Sequence, residues 1–245
     1  MNMENMEQDE QNTKEIPEFY RDLKEDLNQN GLWYFTFRQN PKARRKPIQT
    51  PDNKPHKVDF KWSDLFGNKT NQIEIEVGSG KGHFLTEYAK KHPEISILGS
   101  EWDKTWAMTC LERLIKKNVT ENTKMLCGDV FYFLRDAVPA NSVDAFHMYF
   151  PDPWPKERHH KNRLLRPDFL VEVARTLKSG KRLFYWGTDH KEYNEVALDA
   201  FDHFDGCTVI ERNTVLPTEG IMTGFETKYR KEGRPIYRSL IVFEK

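Results

Sequence analysis

The sequence predicts one α/β domain built on a mostly parallel, seven-stranded sheet with an antiparallel edge strand and helices on both faces. Three observations carry this prediction. From residue 72 onward, short apolar runs alternate with stretches of helical period. A glycine-rich turn, "GSGKG", directly follows the first run, "IEIEV", and opens the first helical stretch. The last two apolar runs have only a loop's worth of chain between them, with no helical stretch, so they pair antiparallel at one edge.

In chain order, strands are expected near 72–77, 95–101, 123–128, 142–150, 180–186, 206–212 and 236–244. Helices are expected near 82–91, 103–117, 130–136, 167–178 and 190–203. Strands that alternate with helices imply right-handed crossovers and a sheet covered on both sides. Residues 1–16 are polar and acidic without any period, and read as a disordered tail. Residues 17–60 hold a short helix candidate, "IPEFYRDLKEDLNQN", and an extended arm rich in proline and cations, which leaves 61–245 as the folded domain.

At 245 residues the chain is long enough for a sizeable core. No apolar run approaches the roughly 18 residues of a membrane span, and the first residues have neither a basic nor an apolar leader region, so a cytoplasmic protein without membrane contact is expected. Cys110, Cys127 and Cys207 are odd in number and widely spaced, which predicts buried thiols rather than disulfides or a metal site. The 38 basic and 38 acidic residues cancel, yet they are segregated. Acids crowd the first thirty positions, whereas cations cluster at 38–57, 156–166 and 228–238, three patches that would suit a polyanion.

Candidate site residues fall at the strand ends. Gly78, Gly80 and Gly82 permit a tight turn and bring backbone amides close to a ligand at a helix start. A dinucleotide fingerprint would have glycine where His83 stands. Glu76, at the tip of the first strand, would repel a pyrophosphate but suits a cofactor carrying an ammonium and a sulfonium. Glu101, ending the second strand, is placed to accept both hydroxyls of a ribose, and Asp129, ending the third, to reach an adenine amino group. Three acidic strand ends around one glycine loop resemble the S-adenosylmethionine site of class I methyltransferases, and the resemblance implies their Rossmann-like fold.

The fourth strand ends in "FPDPWPKERHHKNRL". Prolines there fix the backbone around Asp152, and Trp154 offers a face for a planar base. The placement is similar to the D/N-P-P-Y/F/W element of methyltransferases that modify nitrogen. Taken with "TDHKEY" and "GIMTGFETKYRKEGRPIYR", the block resembles the signature of the TrmB family of tRNA (guanine-N7)-methyltransferases. That resemblance implies transfer of a methyl group from S-adenosylmethionine to N7 of a guanosine in the variable loop of tRNA; the sequence leaves monomer and homodimer both open. It puts Glu76, Glu101, Asp129 and Asp152 around the cofactor and catalytic centre, and makes Lys156, Asp189, Thr223, Gly224, Phe225 and Glu226 substrate contacts. The chain departs from the family pattern at Ser100, where an aliphatic residue is usual, and at Gly224, where bulkier residues are common.

Guanine N7 carries an in-plane lone pair and no proton, so positioning and electrostatics suffice and no strong base is required. Lys156, Arg158, Lys161, Arg163 and Arg166 are expected at phosphates. His159 and His160, lying among these cations, are expected as neutral phosphate or stacking contacts rather than bases or metal ligands. Two other functions fit parts of the pattern: a methyltransferase for a small-molecule or protein amine, which would have no use for so basic a surface, and a noncatalytic RNA-binding subunit with the same fold.

Overall fold

Strand β2 (Ile73–Val77) sets the architecture, because its five residues are all buried although every second one is a glutamate. Ile73, Ile75 and Val77 enter one apolar layer, and Glu74 and Glu76 face the other side of the sheet. The computed structural model describes residues 32–34, 60–180, 182–214 and 217–244. The expected acidic tail, the helix candidate and the basic arm lie outside the described residues.

In chain order the described elements are β1 (Leu32–Tyr34), α1 (Trp62–Phe66), β2, α2 (His83–Lys91), β3 (Ser96–Glu101), α3 (Lys104–Lys116), β4 (Thr123–Cys127), α4 (Val130–Asp136), β5 (Ala145–Tyr149), α5 (Pro167–Thr176), β6 (Arg182–Thr188), α6 (Lys191–Asp202), β7 (Cys207–Thr214), α7 (Gly224–Lys231) and β8 (Tyr237–Phe243). Short 3-10 turns cover Glu157–Asn162 and Thr218–Gly220. The strands form one sheet in the order β1-β4-β3-β2-β5-β6-β8-β7. All neighbours from β1 to β6 are parallel, and β8 runs antiparallel to both β6 and β7.

The seven expected strands and five expected helices are all present. Beyond the one-turn helix α1, which carries Trp62, Leu65 and Phe66 into the core, two elements were not expected. The short strand β1 lies between the helix candidate and the basic arm and extends the sheet beyond β4, with Trp33 opposite Leu126, so the domain's sheet draws on residues before position 61. The connection between the last two strands is not a bare loop but contains α7, whose start is capped by the Thr223 hydroxyl accepting from the Glu226 amide at 3.0 Å. Glu226 is the one residue of α7 that is fully buried, so the helix carries no apolar stripe for sequence periodicity to reveal.

Helices α2 and α3 pack on one face of the sheet through Phe84, Leu85, Tyr88, Cys110, Leu111 and Leu114. On the other face α4, α5 and α6 contribute Phe133, Phe169, Val173 and Phe201. In α5, Pro167 stands in the first turn, where its missing amide costs nothing, and Phe169, Leu170 and Val173 fall on one side at helical spacing. Cys110 and Cys127 are buried and Cys207 partly so; none is in a disulfide. No described helix is long and apolar enough to cross a membrane.

Candidate active site

The parallel order of the strands lines their C-terminal ends along one edge, and the expected acids stand there in sequence. Asp129 follows β4, Glu101 ends β3, Glu76 is near the end of β2, Asp152 lies just past β5, and Asp189 just past β6. Because β2 and β5 are neighbours, with Val77 opposite Met148, the glycine turn and the proline loop emerge side by side. This is the crevice where ligands bind in open parallel sheets.

The glycine turn is fixed from two directions. The amides of Gly78 and Ser79 both donate to the Ser100 carbonyl at 2.9 Å, and the Gly80 amide donates to the Glu101 carboxylate at 3.0 Å. Gly82 has φ of 70°, and a Cβ there would come within 2.4 Å of the Cys110 sulfur, so both conformation and space require glycine. The second oxygen of Glu101 accepts from the Asp103 amide at 3.0 Å. Burial raises the Glu101 carboxyl above its ordinary range, opposed by these backbone donors. Ser100, unusual for the family resemblance, has its hydroxyl donating to the Glu76 carbonyl at 3.2 Å, so the smaller polar side chain still serves to hold the β2 tip.

Glu76 is buried, and one of its carboxylate oxygens has no hydrogen-bond partner in the protein. Burial pushes its pKa up to about 8; the Ser79 side chain opposes this, and the charge of Glu101 adds to it. A buried, unsatisfied carboxylate costs free energy unless a donor completes it, and an ammonium group is such a donor. Asp129 accepts from the Phe131 amide at 3.0 Å and caps α4. The residues present therefore fit S-adenosylmethionine: Glu76 for its amino group, Glu101 for the ribose and Asp129 for the base.

Asp152 is exposed at the front of the crevice. In its loop Phe150 and Trp154 both hold positive φ, at 53° and 45°, which a side-chain-bearing residue adopts only when its surroundings enforce it. Arg163 supplies part of that enforcement. It is buried, donates to the Pro153 carbonyl at 2.8 Å, grips both oxygens of Glu192 at 2.9 and 2.5 Å, and lies 4.7 Å from the Tyr193 ring centroid. Arg163 is thus a loop clamp and not the phosphate contact expected from sequence; nothing in a run of cations reveals which one turns inward. Arg166 likewise pairs with Asp168 at 2.6 Å. Lys156, Arg158 and Lys161 remain exposed.

The other expected substrate residues sort into two groups. Phe225 is exposed and stacks on Tyr229 at 5.9 Å between centroids, and Tyr229 in turn meets Phe150 at 5.7 Å, which brings α7 against the proline loop. A Cβ on Gly224 would approach the His83 ring to 2.7 Å, so the family departure at Gly224 lets α7 close on α2. Asp189 accepts from Arg234 at 3.1 Å. Glu226, expected to face the substrate, is wholly buried: one oxygen accepts from Arg230 at 2.7 Å, and the other accepts from Arg238, itself buried. Arg238 also donates to Thr218 at 3.1 Å and covers the Tyr149 ring at 4.6 Å. In the patch 228–238 these pairings consume Arg230, Arg234 and Arg238, so it is less of a cationic face than its composition promised.

A strand order with one antiparallel insertion and acids at the strand ends around a glycine turn define a Rossmann-like class I methyltransferase. Comparison with known proteins narrows this. Residues 70–239 match the family described as "Putative methyltransferase". A tRNA (guanine-N(7)-)-methyltransferase of Halalkalibacterium halodurans is 37% identical over 210 residues, covering 82% of this chain and 92% of that protein. The one from Lactobacillus gasseri is 33% identical over 217 residues, covering 82% and 95%. Among solved structures, the 16S rRNA methyltransferase KamB superposes with a TM-score of 0.58 at 13% identity, over 77% of this chain and 96% of that one, a likeness of fold. The chain belongs to the TrmB family of methyltransferases.

Proposed function

We propose that this enzyme transfers the methyl group of S-adenosylmethionine to N7 of a guanosine in tRNA, giving 7-methylguanosine. The observation that carries the proposal is the juxtaposition of the Glu76 carboxylate, with one buried oxygen lacking a partner in the protein, and the clamped Asp152 loop on neighbouring strand tips, in a chain whose relatives bear that activity in their names. When bound, the cofactor supplies an electrophilic methyl on a sulfonium. Glu76 would hold the amino group, Glu101 the ribose hydroxyls and Asp129 the adenine, while the turn at Gly78 and Gly80, whose amides are engaged by Ser100 and Glu101, would leave room for the cofactor. Asp152 accepts from the guanine N1 and exocyclic amine hydrogens, which turns N7 toward the methyl donor, and its charge offsets the positive charge that develops on the base. Lys156, Arg158 and Lys161 hold phosphates, Gly224 and Phe225 line the acceptor side while the buried Thr223 caps their helix, and Asp189 anchors Arg234 beside them. Glu226 acts from beneath by fixing that segment. Residues 61–245 together with β1 are the catalytic domain. The enzyme works in the cytoplasm as a monomer or homodimer.

Incubation with labelled S-adenosylmethionine and unmodified tRNA tests this: label recovered as 7-methylguanosine supports it, and label confined to small molecules or protein refutes it. Glu101→Ala weakens cofactor binding by about 1–3 kcal/mol, the cost of ribose hydroxyls left without a charged acceptor, with tRNA affinity unchanged by titration. Neutralising Arg158 and Lys161 together flattens the log-log dependence of tRNA affinity on salt by up to about two, with cofactor binding spared.

A further expectation concerns pH. With its pKa near 8, Glu76 is mostly protonated at neutral pH in the free enzyme, and the cofactor's ammonium selects the ionised form. Cofactor binding therefore releases up to one proton at pH 7, and affinity rises as pH climbs toward 8, where the cofactor's own amine, with an ordinary pKa of about 8, begins to lose charge. Calorimetry in buffers of different ionisation heat measures the release, which Glu76→Gln abolishes.

A further inference from the structure

The glycine turn has an outer side that the cofactor chemistry above does not use. There Lys81 extends over the Trp106 ring, 4.7 Å from its centroid, and Trp106 is still 41% exposed. Arg113, one face of α3 further along, donates to the Lys81 carbonyl at 2.8 Å, which ties helix and turn together. Asp103, the acid nearest Trp106 in sequence, is occupied in capping α3, accepting from the amides of Thr105 and Trp106 at 2.8 and 3.2 Å. The local potential is positive: beyond the effect of burial, the charges of Arg113 and Lys81 lower the pKa of the neighbouring His83, against a smaller opposing effect from Glu87.

This cluster is continuous with the acceptor side of the crevice. His83 packs against Gly224, and a Cβ on Gly80 would lie 3.8 Å from the Phe225 ring. Phe225 is 49% exposed, and Met222 beside it is exposed as well. Trp106, Lys81, His83 and Phe225 thus run from α3 across the turn to α7. Interleaved stacking faces and phosphate-binding charges characterise surfaces that hold unpaired nucleic acid strands, because bases offer π-faces and their backbone offers anions at the same spacing. A protein or lipid partner would have no comparable use for an indole capped by an ammonium.

We infer that Trp106, Lys81 and Arg113 form a second RNA contact, on which a nucleotide near the target guanosine stacks its base on the indole with its phosphates at the two cations. The inference rests on the reading of tRNA as substrate and adds the direction in which the strand leaves the site, across the glycine turn. Binding there gives the enzyme a hold on unpaired RNA on the side of the crevice opposite the block 156–161.

The test uses the full-length protein with Trp106→Ala, Trp106→Phe and Lys81→Ala, all at surface positions. Trp106→Ala weakens tRNA affinity about tenfold or more with an unchanged salt slope, since stacking releases few ions, and Trp106→Phe recovers much of the loss. Lys81→Ala weakens it with a slope flatter by about one. Cofactor affinity stays within twofold in all three, and the transfer rate at saturating tRNA is close to wild type. Wild-type tRNA affinity in Trp106→Ala overturns the inference, as does a parallel loss of cofactor affinity, which would assign the indole to the cofactor. Wild-type enzyme run alongside separates the two levels: label entering tRNA upholds the functional reading whatever Trp106→Ala does, and wild type that binds no tRNA sinks both.

Discussion

Asp152→Asn slows single-turnover methyl transfer by about a hundredfold or more while leaving tRNA affinity nearly intact. The asparagine keeps the shape but turns one of two acceptors into a donor, which then opposes the N1 or amine hydrogen of the base, and it removes the charge that offsets the cationic product. Asp152→Ala falls at least as far. The loop survives both changes, because its conformation is imposed by Arg163 on the Pro153 carbonyl and by the Phe150 amide on the Gly187 carbonyl at 2.6 Å, neither of which involves the Asp152 side chain. With cofactor and tRNA saturating, the wild-type rate is flat across neutral pH, since the acceptor nitrogen has no proton to lose. A variant as fast as wild type would reduce the loop to scaffold, and a slope of one in log rate against pH would demand a general base.

Glu226→Ala lowers the free energy of unfolding by about 3–5 kcal/mol, the usual result of stripping one partner from a buried ion pair. The reason lies in Arg238, 2% exposed, whose charge would be left with the Thr218 hydroxyl and the Tyr149 ring as its remaining contacts. Replacing both members by apolar residues of similar volume recovers much of the loss, because the penalty comes from the orphaned charge rather than from the missing attraction. Denaturant titration of the single and double variants measures the difference. A single variant within about 1 kcal/mol of wild type would show that water reaches Arg238.

Sequence made the sheet legible because its strands and helices differ in period, and it made the strand-end acids legible because chain order alone puts them at one edge. It was silent where burial is polar. Helix α7 left no trace in an apolar count, since its buried face is Glu226. Arg163 and Arg238 looked like members of exposed basic patches, and only the positions of Glu192 and Glu226 in space show that they are internal. Nor does composition show that Trp106, a large aromatic on a helix, stands outside with Lys81 across it. Three-residue β1 is too short to carry a period at all.

Strand β8 lies between β6 and β7, although it follows both in the chain. During synthesis β7 can therefore acquire no neighbour in the sheet until β8 has been made, and β6 remains an open edge for the same interval. The half of the crevice formed by β2, β3 and β4 has no such dependence, so a growing chain completes the cofactor side first and the acceptor side last. Until that insertion, two unpaired edges stand side by side, which makes the nascent protein most prone to association in the final stage of its production. It would then be a client for chaperones that shield strand edges, at the moment when its methyl-donor pocket is already formed.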